Sequence, residues 1–327
     1  VSYASDGQTD QVFTYFGFRD VCTRDGKTLL NHRPIYQRLI LHQGYYDGGL
    51  LTADTDERYR TDLQTIKDMG FNGVRMHQKI EDPLFYYWAD KIGLLVWGEL
   101  PSCYEFSELA MRRSFESMRE FIQRDYNHPS IVCWVPLNES WGVRNIEQNA
   151  AQQRYAVSLY HFIKAMDSTR WVSTNDGWEQ VTTDFCTLHD YSFDGKALSS
   201  RWDDLDALLQ SAAQDRMIFA SGYQYTGQPI LLTEFGGVAF KTNQSEKDWG
   251  YCAIEKNEAS YIRRLTSLFS YIKTNRRIQG YCYTQFTDVM QETNGLLSIR
   301  REPKIAIDVI RAILFGTDDS EPISPVP

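Results

Sequence analysis

None of the six cysteines, Cys22, Cys103, Cys133, Cys186, Cys252 and Cys282, stands at CxxC or metal-pair spacing, which argues against zinc ribbons and thioredoxin-type redox motifs. Cys133, Cys186 and Cys282 fall inside apolar segments that read as strands, where a free thiol behaves as a small buried hydrophobe, so a reducing, cytoplasmic setting is expected. No apolar run approaches the ~18 residues of a membrane span, and no signal-peptide pattern opens the chain. The chain begins on Val1, so a natural N-terminus further upstream is expected. Positive charge is in deficit, with 34 Lys and Arg against 43 Asp and Glu and a net charge of -9. A chain of this kind offers no basic surface to nucleic acid or to an anionic membrane, so neither partner is expected. A small neutral substrate is the default, and a homo-oligomer is compatible with the composition.

What is abundant is length and aromatic side chains. The 327 residues include 20 Tyr, 17 Phe and 8 Trp, enough to bury a large core and to leave rings for stacking on a sugar face. Two stretches organise the rest. Ile131-Val132-Cys133-Trp134-Val135 is a continuous apolar run, the pattern of a strand buried on both faces, and it leads through Pro136 and Leu137 to Asn138-Glu139-Ser140-Trp141. Pro229-Ile230-Leu231-Leu232-Thr233 repeats the design and closes on Glu234, followed by Phe235, Gly236 and Gly237. An isolated Asn-Glu pair as readily opens a loop or caps a helix. Two strands that each deliver an acid suggest carboxylates paired by a barrel.

Between these landmarks strands and helices alternate. Strands are predicted over Tyr36 to Leu41, Gly73 to His77, Leu94 to Glu99, Ile131 to Val135, Trp171 to Asn175, Phe185 to His189, up to Glu234, and over Gly280 to Gln285. Helices are predicted from about Asp56 to Met69, Asp82 to Ile92, Ser107 to Tyr126, Glu147 to Met166, Asp203 to Arg216, from Lys256 to Asn275, and from Ile305 to Leu314. Before the first strand, Gln11 to Arg19 reads as extended and Asp25-Gly26-Lys27 as a turn. Eight strands alternating with helices argue an α/β fold, a (β/α)8 TIM barrel. Residues 31-316 form this barrel, 1-30 a linker or hairpin lid on its floor, and 317-327 a loosely ordered tail.

Barrel enzymes place their sites at the C-terminal strand ends. The polar groups there are Arg75 and His77, Glu99, Asn138 and Glu139, Asn175 and Asp176, His189, Asp190 and Tyr191, Glu234 and Gln285. Two glutamates on facing strands suit glycosidic bond cleavage: one protonated to donate to the leaving oxygen, the other ionised to attack the anomeric carbon. At a carboxyl separation of about 5 Å the reaction retains configuration through a covalent intermediate. A metal-dependent barrel is the alternative, with Glu99, Glu139, Asp190 and Glu234 as magnesium ligands; no lysine stands at a predicted strand end to serve as its base. A barrel that binds carbohydrate without turning it over is a further alternative.

The pieces His128-Pro129-Ser130, Trp134, Asn138-Glu139-Ser140 and Thr233-Glu234-Phe235-Gly236 resemble the catalytic barrel of family 2 glycoside hydrolases, the group of β-galactosidases, β-glucuronidases and β-mannosidases. The likeness runs from Phe16-Gly17-Phe18-Arg19 through Phe286 to Glu292 and on to Arg301-Glu302-Pro303-Lys304. It implies a retaining exo-β-glycosidase acting on a small oligosaccharide or β-glycoside, with Glu139 as acid/base, Glu234 as nucleophile, Asn138 on the sugar 2-hydroxyl and Tyr191 on the nucleophile. Gln78 takes the family's sugar-binding histidine position, and Arg75, His77, Glu99, Asn175, His189 and Gln285, from their placement at strand ends, with Trp141 just beyond one, are the further residues expected to line the substrate. No cofactor is required, and magnesium is left as a structural or accessory ion.

Departures from the family's pattern bear on the sugar. The usual sugar-binding histidine position holds Gln78, with His77 one place earlier. The Asn-x-Lys-Gly motif of glucuronidases is replaced by Thr293-Asn294-Gly295-Leu296, which argues against a uronic acid because a buried carboxylate without a cation is costly. Strand eight carries Thr284 where a tryptophan is common. Galactose is the expected sugar by frequency within the family. Members normally carry two β-domains before the barrel, and residues 1-20 look like the last strand of the second.

Overall fold

A computed structural model describes residues 2-210, 216-241 and 245-316. Eight parallel strands form one sheet: β1 (Gln37–His42), β2 (Gly73–Met76), β3 (Leu95–Glu99), β4 (Ile131–Val135), β5 (Trp171–Val172), β6 (Cys186–Asp190), β7 (Ile230–Gly236) and β8 (Ile278–Thr284). The hydrogen-bonded order is β5-β4-β3-β2-β1-β8-β7-β6. The seam between β5 and β6 is joined where Asp184 donates its amide to the Val172 carbonyl at 3.0 Å and its side chain accepts the Val172 amide at 2.8 Å. The (β/α)8 barrel read from the alternation is the fold.

The strands are apolar on both faces because both are covered. One set of side chains, including Ile40, Val74, Val96, Trp134 and Leu232, packs outward against the helices. The alternate set, including Leu39, Leu41, Trp97, Cys133, Phe185, Leu231 and Cys282, fills the interior. Trp97 stacks on Phe185 with centroids 5.2 Å apart and donates its indole N–H to Gln37 at 2.8 Å. Trp97→Ala would leave an interior void, a change of about 3–5 kcal/mol.

The outer helices are α1 (Asp56–Asp68), α2 (Pro83–Ile92), α3 (Glu108–Asp125), α4 (Ala150–Met166), α5 (Gly195–Trp202), α6 (Leu205–Gln210), α7 (Glu258–Thr274) and α8 (Ile307–Phe315). Their starts follow local chemistry: Asp82, Ser107 and Asn257 accept amides of the first turns of α2, α3 and α7. α4 begins at Ala150, three residues after the expected Glu147, because Asn149 is its cap. Within the range expected to be helical, Asp203 to Arg216, the described residues carry the short α6, and it is preceded by a helix that was not expected, α5. Asp194 caps α5 on the Ala197 amide, and Asp204 starts α6 by accepting the Ala207 amide; the remainder of that expected helix reaches outside the described residues, as does the tail expected at 317-327.

The floor is plugged by an antiparallel sheet of Val21–Arg24, Lys27–Leu30 and Arg33–Pro34. Val21, Leu30 and Ile35 pack against the interior cluster. The stretch expected as extended from Gln11 to Arg19 pairs only at its start, where Gln8–Gln11 meets Ser2–Ser5. Arg19 ties the segment down by donating to the carbonyls of Pro129, Ile131 and Thr169 at 3.3, 3.0 and 3.1 Å.

Candidate active site

Strand chemistry aims the mouth residues. Pro136 has no N–H and ends the β4 ladder, after which Leu137–Asn138 pairs in parallel with Asn175–Asp176. Glu139 and Ser140 then take left-handed backbone angles, φ 51° and 56°, a conformation that costs an L-residue about 1–2 kcal/mol. The Glu139 amide is held by the Asp176 carbonyl at 2.9 Å and the Ser140 amide by Asn175 Oδ1 at 3.0 Å. Across the barrel, the register of β6 against β7 slips between Leu188 and His189, so that His189 lies beside Glu234. A bulge of this kind re-aims a side chain. Gly236 follows with φ 91°, and a Cβ there would strike the Tyr283 ring.

Arg75 is the hub. It is fully buried, and its Nε donates to Glu99 Oε2 at 2.7 Å. Nη1 lies 3.0 Å from Glu234 Oε1 and 2.7 Å from Asp176 Oδ2, and Nη2 donates to Asn138 Oδ1 at 2.6 Å. Burial disfavours its charge, but Asp176, Glu99 and Glu234 outweigh that and hold the guanidinium firmly charged.

His189 is the second buried cation. Nδ1 lies 2.7 Å from Glu139 Oε1 and 3.5 Å from Glu234 Oε2, and Nε2 is 3.1 Å from Asp176 Oδ2. Burial pulls the ring toward neutrality, and the charge of Glu234 with the bonds to Asp176 and Glu139 overrides it, pushing the ring up to about 10. In return, although burial works the other way, the His189 bond and charge hold the Glu139 carboxyl below its usual range. Asp176 is likewise held down against burial by Arg75 and His189. Glu139, His189 and Glu234 each bring one donor atom within 4.8 Å of the others. A single cation would need such a spacing, but both ring nitrogens are already aimed at carboxylates and Arg75 supplies charge between them. The set therefore reads as an ion-pair network.

Glu234 has a further partner. Tyr191 donates to Glu234 Oε2 at 2.6 Å and lies 3.2 Å from Thr284 Oγ1, and its ring stacks on Tyr251 with centroids 4.3 Å apart. Burial and the Glu234 charge push the Tyr191 phenol well up, so it remains a donor.

The remaining expected residues divide. His77 Nδ1 stands 3.1 Å from Glu99 Oε1, out of line for a hydrogen bond, and burial notwithstanding Glu99 pushes the ring up. Gln78 gives its amide to Glu99 Oε1 and accepts the Ser102 amide. Gln285 belongs to a buried polar cluster in which Glu292 accepts from Gln43 Nε2 at 3.3 Å, Gln285 Nε2 at 2.9 Å and Asn294 Nδ2 at 3.1 Å. Asn175 does not reach the carboxylates: its amide is spent on Ser140 Oγ and the Trp178 carbonyl. The residue after β5 that enters the network is Asp176, its immediate neighbour. Trp141 sits outside it, with Tyr104 at 5.4 Å and the Arg144 guanidinium 4.0 Å over its ring. The ring beside His189 is Trp178, at 5.6 Å. Asp190 turns away to Ser192 and Trp202, so the four acids of the magnesium alternative do not converge.

Residues 21–313 match the TIM barrel domain of glycosyl hydrolases family 2. The chain belongs to that family. Among family 2 relatives, a β-galactosidase of Thermoanaerobacterium thermosulfurigenes is 33% identical over 267 residues, covering 78% of this chain and 33% of that protein. Two solved structures superpose on the barrel. A β-galacturonidase from Eisenbergiella tayi bound to galacturonate gives a TM-score of 0.72 at 22% identity, covering 91% of this chain and 55% of that one. A Parabacteroides merdae β-glucuronidase with glycerol in its active site gives 0.77 at 18% identity, covering 97% and 41%. At these identities the superpositions speak to fold. The chain spans 15% to 33% of the length of curated relatives that it matches.

Proposed function

We propose that this barrel is the catalytic unit of a retaining exo-β-glycosidase, with Glu234 as nucleophile and Glu139 as acid/base. The observation that carries the reading is the approach of the two carboxylates, with donor atoms within 4.8 Å of each other. That spacing suits direct attack on the anomeric carbon and leaves no room for an intervening water. Arg75 and Tyr191 both donate to Glu234, which fixes its carboxylate in place for attack on C1. Asn138, fixed by Arg75, is positioned for the sugar 2-hydroxyl.

The glycone is a neutral sugar. Glu292, buried and with its carboxylate accepting side-chain amides of Gln43, Gln285 and Asn294, is pushed up by burial, with Asn294 and Gln43 opposing. A uronate beside it would add a second carboxylate where no Lys or Arg among the described residues pairs with Glu292. Galactose is the first candidate, since a relative matched over 78% of this chain is a β-galactosidase; the β-galacturonidase and β-glucuronidase neighbours make the uronides the essential comparison. The test is a panel of aryl β-galactosides, glucosides, mannosides, glucuronides and galacturonides, followed by mass spectrometry of the protein after reaction with the matching 2-fluoroglycoside. A covalent sugar on Glu234 is expected. A label on another residue, or full turnover by Glu139→Gln or Glu234→Gln, would refute the assignment.

A further inference from the structure

The acid/base poses a physical problem. A carboxyl that must donate a proton near neutrality faces a buried cation: His189 Nδ1 stands 2.7 Å from Glu139 Oε1. A cation so placed stabilises the ionised carboxylate and makes Glu139 alone a poor acid. The ring is itself fixed from behind, since Nε2 lies 3.1 Å from Asp176 Oδ2, and the same Asp176 oxygen lies 2.7 Å from Arg75 Nη1. Asp176 is fully buried, and its neighbour Asn175 is committed to Ser140 and Trp178.

We propose that Asp176 is a positioning residue that makes His189 and Glu139 a single proton donor, the proton delivered to the leaving group being the one these two side chains share. This rests on the glycosidase reading above. In the resting pair the proton is on Nδ1, and Nε2–H donates to Asp176. As substrate binds, the proton passes from Nδ1 to Oε1, leaving a neutral ring still bonded through Nε2–H to Asp176. Glu139 gives that proton to the glycosidic oxygen as the C1–O bond breaks, its electron pair goes to that oxygen, and the Glu234 carboxylate bonds to C1. In the second half the Glu139 carboxylate takes a proton from water, the hydroxyl oxygen bonds to C1, the ester electron pair returns to Glu234, and the proton returns to Nδ1. Asp176 touches no reacting atom. It keeps the ring in the tautomer that presents Nδ1 to Glu139, and it holds Arg75 in place behind Glu234.

The charged and titratable groups facing His189 come from four elements: Arg75 on β2, with Nη1 3.5 Å from Nε2, Glu139 after β4, Asp176 after β5, and Glu234 on β7. The Trp178 ring covers one side. Gly177 allows the close approach, since a Cβ there would lie 2.7 Å from Nδ1. Of the three carboxylates, Asp176 is the one with no covalent or proton-transfer step of its own, so its removal isolates the positioning role.

The experiment is the pH profile of kcat/KM for Asp176→Asn on two aryl glycosides of the preferred sugar, one with a poor leaving group, phenol, and one with an activated dinitrophenol. Loss of the Asp176 charge weakens the hold on the shared proton. The alkaline limb is therefore expected to move to lower pH by about one unit or more, and the phenyl glycoside to lose about tenfold more activity than the dinitrophenyl one at alkaline pH. His189→Gln should move the limb likewise, and the double variant should add nothing further. A limb that stays in place or moves to higher pH, or equal losses on both glycosides, would overturn the proposal. Nitrogen NMR of the wild-type imidazoles gives an answer that needs neither a folded variant nor turnover: the His189 ring is expected to remain doubly protonated through about pH 8, whereas an ordinary histidine is neutral there. A neutral ring overturns the clamp. A wild type inactive on the whole panel refutes the glycosidase reading instead, and the NMR titration then decides the clamp alone.

Discussion

The barrel buries charge at both ends and does so by opposite rules. At the floor Arg170 meets one carboxylate, Asp167, at 2.7 Å, and its other donors end on the carbonyls of Ile131, Tyr126 and His128 at 2.7, 2.7 and 2.8 Å. Asp167 accepts the Trp134 indole at 2.9 Å and the Thr169 hydroxyl at 2.7 Å. At the mouth Arg75 and His189 share four carboxylates, Glu99, Glu139, Asp176 and Glu234. The floor pair is balanced, and its bonds brace the starts of β4 and β5. The mouth carries an excess of negative charge, and such an excess raises the affinity for one more proton or for a cationic transition state, which a structural ion pair has no use for.

The largest effect should come from removing a carboxylate at the mouth. Glu234→Gln is expected to lower turnover on the best aryl glycoside on the order of ten-thousand-fold while leaving the thermal midpoint equal to or above that of wild type, since it relieves part of the charge excess. Activity and differential scanning calorimetry on one preparation read both. A variant that is inactive because it is unfolded would make the mouth no different from the floor.

Next in size is the floor. Arg170→Met removes the cation and strands Asp167, a change of about 3–5 kcal/mol in stability, with kcat/KM of the folded fraction close to wild type. Urea titration followed by tryptophan fluorescence measures the first, and active-site titration normalises the second. Equal damage to both would show that the floor also tunes the site.

The two ends should also fail at opposite extremes of pH. Asp167 is held below its ordinary range because Arg170, with the Trp134 and Thr169 bonds, outweighs burial. Its folded value is depressed, so its contribution is complete above the ordinary carboxylate range and is lost as the pH falls through the folded value. His189 is raised to about 10. Its contribution is complete below about pH 6.5 and is lost as the pH rises toward the folded value. Stability measured by urea unfolding should therefore decline by a few kcal/mol more in wild type than in His189→Gln between neutral and alkaline pH. Equal declines would place the alkaline loss elsewhere.

The architecture was legible because strands buried on both faces leave continuous apolar runs, and the family motifs fix where two of them end. Within the mouth, legibility fell where register departs from regular alternation. Asn175 and Asp176 are adjacent and equally polar, and position along the strand does not say which turns inward; the break after Val172 and the pairing with Leu137–Asn138 decide it. His189 stands beside Glu234 only because of the slip against β7, which no spacing in the sequence announces. Gln43 lies in a loop far in sequence from Glu292 and Asn294, so nothing local joins it to them. Trp141 stands two residues after Glu139 in sequence, yet its ring packs with Tyr104 and Arg144, and the ring beside His189 is Trp178.

The smallest expected effect concerns Glu292, which bears on the mouth's excess charge without bonding either catalytic candidate. Its Oε1 accepts two amides and its Oε2 one. Glu292→Gln keeps the shape, removes a desolvated charge and turns one acceptor into a donor that must face Gln43. The lost bond and the relieved burial oppose each other, so stability should change by no more than about 1 kcal/mol. The informative quantity is the ratio of kcat/KM for the aryl β-glucuronide to that for the aryl β-galactoside. Relieving one charge repulsion of about 1.4 kcal/mol would raise that ratio about tenfold, while Glu292→Ala, which also frees three amides, should lower activity on every glycoside. A ratio unchanged in Glu292→Gln would mean that Glu292 does not face the glycone, and the preference for a neutral sugar would then need another origin.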